Sequence, residues 1–227
     1  LDHLSFELKE GEILGIYGLM GAGRTELMES VFGLHPATMS ADITVKEKKY
    51  IIRQPADAIK AGIALVPEDR KLQGLILNQS VNKNIGITIL QLLERWGLVL
   101  DRKKEEALSA GYINSLRIKT PSAQAAVQNL SGGNQQKIVI AKWLATKPAV
   151  LLLDEPTRGI DINAKSEIYE LMRSLAAEGM GIIMVSSEMP EILALADRIL
   201  VMNDGRITAN LSGATATEQE ILSHAIQ

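Results

Sequence analysis

Residues 18–25, GLMGAGRT, differ at one position from a phosphate-binding loop, whose pattern is Gly-x-x-x-x-Gly-Lys-Ser/Thr. Its glycines would let the backbone wrap closely around phosphate oxygens. The amides of residues 22–25 would point at those oxygens from a positive helix terminus, and Thr25 would give its hydroxyl to Mg²⁺. The candidate nucleotide-binding residues are Gly18, Leu19, Met20, Gly21, Ala22, Gly23, Arg24, Thr25 and Glu26. The alternative is a glycine-rich turn between a strand and a helix.

Arg24 stands where the loop pattern has lysine. A lysine would lie along the loop and reach the β- and γ-phosphates as a compact charge, whereas arginine is longer, planar and forked. We therefore expect Arg24 to support nucleotide binding more readily than tight placement of the γ-phosphate.

Two carboxylates follow an apolar run in LLLDEP, residues 151–156. At the carboxyl end of a buried strand, Asp154 is placed to hold Mg²⁺ through water, and Glu155 to orient or polarise an attacking water. The alternative is that the two acidic residues are merely solvated where a strand leaves the core. A phosphate loop earlier in the chain argues against this alternative.

A second anion-binding motif is LSGGNQQK, residues 130–137. It puts Ser131, Gly132 and Gly133 at the start of a helix, with exposed amides and a hydroxyl. One nucleotide does not need two such sites on one domain, so this one would close on a nucleotide held by another domain. For the octapeptide by itself, the default interpretation is a plain serine N-cap before a flexible glycine pair.

The elements around these motifs alternate between strands and helices. Continuous apolar runs predict buried strands at 12–18, 63–67, 149–156 and 181–188. Three- and four-residue spacing predicts helices at 25–33, 55–62, 135–145, 164–179 and 189–197, and a mainly helical block at 75–129 that includes 90–100 and 102–116. We expect hairpins at 43–53 and around Asp204-Gly205, and a loop at 120–125.

The amino-acid composition limits the classes of protein to which the chain could belong. The 227 residues are 46% hydrophobic and 22% charged, which suits one large domain or a core with a subdomain. The net charge of −3 gives no global basic field for nucleic acid, and the absence of cysteine excludes disulfides and thiolate metal sites. The apolar-looking stretch 85–100 is too polar to cross a membrane unaided. With no initiator Met and no signal segment, we expect a fragment of a longer chain.

Together, GLMGAGRT, LSGGNQQK and LLLDEPTRGID resemble the nucleotide-binding domain of ATP-binding cassette (ABC) proteins over essentially the whole chain. The resemblance implies an α/β fold: a P-loop NTPase core with a mostly parallel sheet flanked by helices. It also implies an antiparallel β-subdomain from 1–17 and 41–66 and an inserted α-helical subdomain at about 75–145. Residues 131–133 would be the signature motif, and residues 159–161, ending at Asp161, the D-loop between paired domains.

Three further stretches narrow the resemblance: VPEDRKLQGL (66–75), the TRGID after Glu155, and VSSEMPEIL (185–193). They are similar to the C-terminal cassette of double-cassette ATPases that drive bacterial import of ribose, galactose or xylose. This implies ATP and Mg²⁺, a second cassette, a transmembrane sugar permease and, indirectly, a periplasmic or extracellular sugar-binding protein, with no nucleic acid. The chain would be a single ABC domain, 1–227, at the cytoplasmic face of the bacterial membrane.

Three positions depart from the ABC pattern. Besides Arg24, Glu68 stands where the Q-loop glutamine would contact Mg²⁺ and the attacking water, and Ser187 where the switch histidine would reach the γ-phosphate. The candidate catalytic residues are Glu155, Glu68 and Ser187, and the candidate metal ligands Thr25, Asp154 and Glu68. We expect a site that holds nucleotide and hydrolyses it slowly, while residues 131–133 complete the partner's site.

Several alternatives stay open. One is a non-catalytic half that clamps ATP while hydrolysis occurs elsewhere. Another is a soluble ABC protein of DNA repair or ribosome function, but the heptads or basic arm expected of such a protein are absent from the sequence.

The adenine-stacking aromatic would lie upstream of Leu1, and we interpret Tyr17 as core. In the family, the permease would contact roughly residues 68–87, with four candidates that could equally be subdomain core: Leu75, Ile76, Leu77 and Val81.

Overall fold

The computed structural model describes residues 1–35, 42–95 and 99–226, apart from the side chain of Arg95. The chain divides into two compact units. The first comprises 1–65, 148–156 and 172–227, and the second comprises 66–147 and 157–171. Among the described residues, no helix combines the length and the apolar character needed to cross a membrane.

A six-stranded sheet organises the first unit. Its strands are β1 (Ile13–Gly18), β4 (Ile63–Val66), β7 (Val150–Asp154), β8 (Gly181–Val185), β9 (Arg198–Asn203) and β10 (Arg206–Ser212), in the spatial order β10-β9-β1-β8-β7-β4. β1 runs parallel to β8 and β9, and β7 parallel to β8. Every residue of β1 and β8 is buried, as expected for apolar strands covered on both faces. The mostly parallel α/β sheet predicted from the sequence is confirmed.

Helices accompany these strands at the predicted places, except for the last helix, Glu218–Ile226, which was not predicted. They are α1 (Arg24–Val31), α2 (Pro55–Lys60), α7 (Ile162–Ala177), α8 (Met189–Leu195) and α9 (Glu218–Ile226). Only the last part of α7, from Met172, belongs to the first unit. Gly33 follows α1 with a φ of 84° and Gly179 follows α7 with a φ of 96°, so both glycines end their helices in the left-handed conformation.

Both predicted hairpins are present. β9 and β10 pair antiparallel across Asp204 and Gly205, whose φ angles of 46° and 73° suit a two-residue hairpin turn. The other hairpin joins β2 (Ile43–Val45) and β3 (Lys48–Tyr50) through Lys46 and Glu47. These two also take positive φ angles, 48° and 64°, without help from glycine or asparagine.

The expected antiparallel β-subdomain is smaller than predicted. Residues 1–12 are all described, and none lies in a strand, while β1 and β4 belong to the main sheet. The first residues hydrogen-bond to turns instead: Asp2 N donates to Gly205 O, and Gly11 N to Gly179 O. Among the described residues of these segments, β2 and β3 form an antiparallel pair. The reason is that the continuous apolar run in β1 favours a central strand covered on both faces over a partly exposed one.

The second unit is mainly helical. It contains α3 (Val81–Gly86), α4 (Leu90–Leu93), α5 (Arg102–Ser115) and α6 (Gly132–Leu144), with the start of α7. A π-helical turn spans Arg70–Gly74, and Lys142 of α6 donates to Gly74 O at 2.5 Å. Residues 120–125 form a loop, as predicted.

The helix predicted over residues 90–100 is wrong beyond Leu93. Glu94 is extended, and β5 (Glu94–Arg95) pairs antiparallel with β6 (Val99–Leu100); residues 96–98 lie outside the described residues. Asp101 explains the break, since its backbone N donates to Leu93 O while its carboxylate accepts from Lys103 N and Lys104 N. A residue that caps the start of α5 cannot also continue α4.

Candidate functional site

The loop between β1 and α1 needs its glycines. Gly21 and Gly23 have φ angles of 84° and 91°, which disfavour any residue with a Cβ. A Cβ on Gly18 would come within 2.5 Å of Met202 O. The loop therefore presents close-approaching backbone at the end of a buried strand, the conformation expected of a phosphate-binding turn.

The other residues of the loop differ in their hydrogen bonds and in their exposure to solvent. Ala22 N donates to Leu19 O at 3.0 Å, so this amide is engaged within the loop, which differs from the expectation that it points at phosphate. Leu19 and Met20 are exposed, Met20 almost completely at 99%. Glu26 lies in the first turn of α1, where a negative charge complements the helix dipole.

Asp154 is buried at the end of β7, only 2% exposed. Burial raises the pKa of its carboxyl to about 6, against the opposing effect of a hydrogen bond from Thr25. Its Oδ1 is buried without a hydrogen-bond partner among the described residues. An unpaired buried carboxylate oxygen beside a threonine hydroxyl is the donor set that Mg²⁺ takes when phosphates and waters complete its shell. Nowhere in the described residues, this region included, does a group of three or more His, Cys, Asp or Glu side chains form a metal site by itself.

Glu155 is engaged from two sides. Arg24 Nη1 lies 3.7 Å from its Oε1 and also donates to Ser186 O at 3.1 Å. Ser187 Oγ donates to Glu155 Oε2 at 3.1 Å. Glu155 has a φ of 47°, an uncommon conformation for a residue with a Cβ. Arg24 and Ser187, two of the three residues that the sequence analysis placed near the γ-phosphate, therefore both contact Glu155, while the third, Glu68, pairs with Arg158.

The signature residues start a helix, as predicted. Ser131 is the N-cap of α6, and Gly132 and Gly133 are its first two residues. Ser131 Oγ accepts from Asn134 Nδ2 at 2.8 Å, and Ser131 O accepts from Gln135 N. Buried Gln135 also donates through Nε2 to Val127 O and Leu130 O, so it fixes the approach to the helix. Sequence reasoning missed this role because glutamine-to-backbone bonds leave no spacing pattern.

Glu68 and Asp161 make local contacts in the second unit. Glu68 forms an ion pair with Arg158. Asp161 Oδ1 accepts from Ala164 N at 3.0 Å, which makes Asp161 a cap at the start of α7. The roles of Glu68 at Mg²⁺ and of Asp161 between paired domains stay predictions. Arg158 itself was not singled out from the sequence.

Burial divides the four residues proposed for permease contact. Leu75 and Val81 are buried, so for these two the alternative of subdomain core is confirmed. Leu77 is half-buried, and Ile76 is 44% exposed. Tyr17 is buried, which agrees with its interpretation as core.

The family model for the ABC transporter matches residues 1–158 of this chain. The chain belongs to the ABC transporter family. The ABC match spans the phosphate loop, residues 131–133 and the Asp154–Glu155 pair, so all three motifs lie inside it.

Two curated proteins from ABC importers are similar to this chain. It is 54% identical over 217 residues to the ribose import ATP-binding protein RbsA of Rhodopirellula baltica, a match covering 96% of this chain and 42% of that protein. It is 49% identical over 220 residues to the xylose import ATP-binding protein XylG of Moorella thermoacetica, covering 97% and 43%. The chain thus spans less than half the length of these relatives.

Solved ABC structures share the fold. A nucleotide-free ATP-binding cassette from an ABC transporter superposes with a TM-score of 0.81 at 21% identity, covering all of this chain and 89% of that one. A dimeric, post-hydrolysis cassette bound to ADP and Pi gives a TM-score of 0.73 at 20% identity, covering 91% and 88%. At such identities the likeness concerns the fold alone.

Proposed function

We propose that this chain is the MgATP-binding cassette of a bacterial monosaccharide importer and that its own phosphate loop holds nucleotide but turns it over slowly. Support for the transport role comes from the relatives whose names specify ribose and xylose import. The observation that carries the proposal of slow turnover is the contact of Arg24 and Ser187 with Glu155.

Nucleotide binding rests on the loop and on Asp154. The positive-φ glycines shape a backbone cradle, and Thr25 and Asp154 supply a hydroxyl and an unpaired carboxylate oxygen for Mg²⁺. Bound there, Mg²⁺ would neutralise charge on the phosphate oxygens. It would also compensate the buried charge of Asp154, whose Oδ1 has no hydrogen-bond partner among the described residues.

Slow turnover follows from what surrounds Glu155. A carboxylate that orients an attacking water needs an oxygen lone pair directed at that water. Here an arginine and a serine hydroxyl lie on its two oxygens. Serine also brings no imidazole to the γ-phosphate, and arginine spreads its charge over a planar fork. Each difference weakens the placement of the γ-phosphate and water while leaving the cradle for the remaining phosphates intact.

The transport role sets the expected partners. We propose that a second cassette, in the same longer chain or in another, pairs with this one, so that residues 131–133 complete the partner's nucleotide site. A transmembrane sugar permease would hold the pair at the cytoplasmic face of the membrane, and an external binding protein would deliver the sugar. Exposed Ile76 remains a candidate for the permease contact.

A binding and turnover measurement on the purified chain tests this proposal. We expect a fluorescent ATP analogue to bind in the presence of Mg²⁺ and to be displaced by ATP and ADP. We expect little phosphate release at saturating ATP. Arg24→Ala should weaken binding about tenfold or more, because it removes a cation from the phosphate cradle.

The matched control is Arg102→Ala, which removes an exposed arginine at the start of α5. It should leave nucleotide affinity unchanged. Brisk hydrolysis by the unmodified chain that disappears in Arg24→Ala would refute the proposal of a slow site. Failure of any nucleotide to bind would refute the proposal as a whole.

A further inference from the structure

Arg70 lies where three segments of the second unit meet. Its Nη1 donates to Arg158 O at 2.7 Å, and its Nη2 donates to Gly159 O at 3.1 Å. One guanidinium therefore holds two successive carbonyls of the turn 158–160, which joins the segment after Glu155 to α7. Two parallel bonds from a planar fork fix the direction of a turn as well as its position.

The same guanidinium lies against the first residue of α6. A Cβ on Gly132 would come 2.8 Å from Arg70 Nη2 and 3.3 Å from Gly159 O. Only a residue without a side chain fits there while Arg70 stays in place. The glycine at 132 thus has a packing reason within this chain, in addition to any contact it makes with a nucleotide.

The turn 158–160 is also bound through a side chain. Glu68, two residues before Arg70, forms an ion pair with Arg158, the residue whose carbonyl accepts from Arg70. The side chain of Arg158 is 66% exposed and that of Glu68 36% exposed, so solvent screens the pair and it adds little stability by itself. The bonds from Arg70 carry more weight, because they satisfy two backbone acceptors with a charged donor.

The starts of α6 and α7 contact each other beside Arg70 and the turn 158–160. A Cβ on Gly133 would come 2.4 Å from the Cβ of Ala164 in the first turn of α7. Lys137 of α6 pairs with Glu167 of α7 at 2.7 Å. Movement of the turn 158–160 would therefore be transmitted directly to the residues that begin α6.

We propose that Arg70 is a positioning residue that holds the turn 158–160 against Gly132, and so sets the arrangement in which residues 131–133 complete a partner cassette's nucleotide site. The inference rests on the proposed function. It concerns residues 131–133, which would contact the partner's nucleotide, and it assigns Arg70 no contact with this chain's own nucleotide.

The test compares Arg70→Ala and Arg70→Lys with the control Arg102→Ala. In the purified chain, amide hydrogen exchange over residues 157–165 should accelerate about tenfold in Arg70→Ala, since two carbonyls lose their donor. Affinity for the fluorescent ATP analogue should not change. In the complete importer carrying the same change, kcat for ATP should fall about tenfold with KM unaltered, because loss of positioning acts on the transition state.

Arg70→Lys should give an intermediate kcat, because an ammonium group supplies charge but no planar fork. It also serves if Arg70→Ala does not fold. Faster exchange with an unchanged kcat in Arg70→Ala would mean a structural role alone and would overturn the inference. Absent nucleotide binding in the unmodified chain would instead refute the proposed function, which keeps the two failures distinct.

Discussion

The two units of this chain treat their candidate nucleotide-facing groups in opposite ways. In the first, Arg24 and Ser187 engage Glu155, so the charged groups near the phosphate loop satisfy one another. In the second, α6 begins with two glycines, and Arg70 and Gln135 beside them donate to backbone carbonyls. A self-paired cluster must be opened before it can act on a ligand, whereas a supported helix start is ready to meet one.

This contrast between the units explains how one chain would contribute unequally to two nucleotide sites. Arg24 begins α1 and Ser187 follows β8, so we expect polar substitutions at these two positions to alter chemistry more than the fold. The residues that support α6 are tied to packing, so they tolerate less change. We therefore expect substitutions at α6 to have larger effects than substitutions at the phosphate loop.

The largest effect should come from Gly133→Ala. Its Cβ would come 2.4 Å from that of Ala164, so the starts of α6 and α7 must separate. Overpacking of this kind destabilises by about 1–3 kcal/mol. Displacing the helix amides should lower ATP turnover of the complete importer about a hundredfold. Denaturant titration and steady-state phosphate release measure the two effects.

Gly111→Ala is the matched control. A Cβ at this position in α5 has nothing within 4 Å. Since alanine is the better helix former, this change should stabilise by about 1 kcal/mol and leave turnover unaltered. Normal turnover in Gly133→Ala would contradict the difference drawn between the two units.

A smaller effect, in the opposite direction, should follow from Arg24→Lys combined with Ser187→His. Replacing Arg24 by lysine would remove the guanidinium from Glu155, and histidine at position 187 would supply the missing imidazole. Phosphate release by the purified chain should rise about tenfold, the low end of what a positioned acid–base group contributes. Arg24→Lys alone should change binding little. Retained binding with no gain in the double variant would show that other features limit this site.

The last prediction concerns stability alone, with no expected effect on turnover. Burial lowers the pKa of the Lys142 ammonium from 10.5 to about 8. The folded state therefore releases its proton before the unfolded state does, and the free energy of unfolding should rise as pH increases from about 8 to 10.5. The full rise is at most about 3 kcal/mol. Below pH 8 both states are protonated, and the whole penalty is present.

Urea titrations at pH 7 and pH 10 measure this dependence. Lys142→Met should lose it, although the variant also leaves Gly74 O without its donor. Lys104→Met, at an exposed position of α5, should keep the wild-type dependence. Identical pH profiles for wild type and Lys142→Met would contradict the assignment to Lys142.

Much of the fold could be predicted because short-range patterns determine it. Apolar runs located the buried strands, and Asp204-Gly205 located a hairpin turn. The Lys46–Glu47 turn and the end of α4 at Leu93 were harder, since pairing partners decided them against local preference. For the same reason, the residues 1–17 and 41–66 were assigned to an antiparallel subdomain larger than the one observed.

In the candidate site, residue types could be predicted from the sequence, whereas contacts between distant side chains could not. Glycine spacing and strand-end carboxylates identified the residues, because a phosphate cradle and a Mg²⁺ ligand demand those types at those positions. The contacts of Arg24 with Glu155 and of Arg70 with Arg158 and Gly159 could not be predicted. Long flexible side chains reach partners far along the chain, and sequence spacing does not record where they point.

The central claim is that this chain's own site contributes little to turnover, and the most direct test is Glu155→Gln in the complete importer. Steady-state ATP hydrolysis should be compared with that of the equivalent change in the partner cassette. We expect Glu155→Gln to leave most of the turnover and the partner change to abolish it. Loss of turnover in Glu155→Gln, with turnover preserved in the partner variant, would contradict the account.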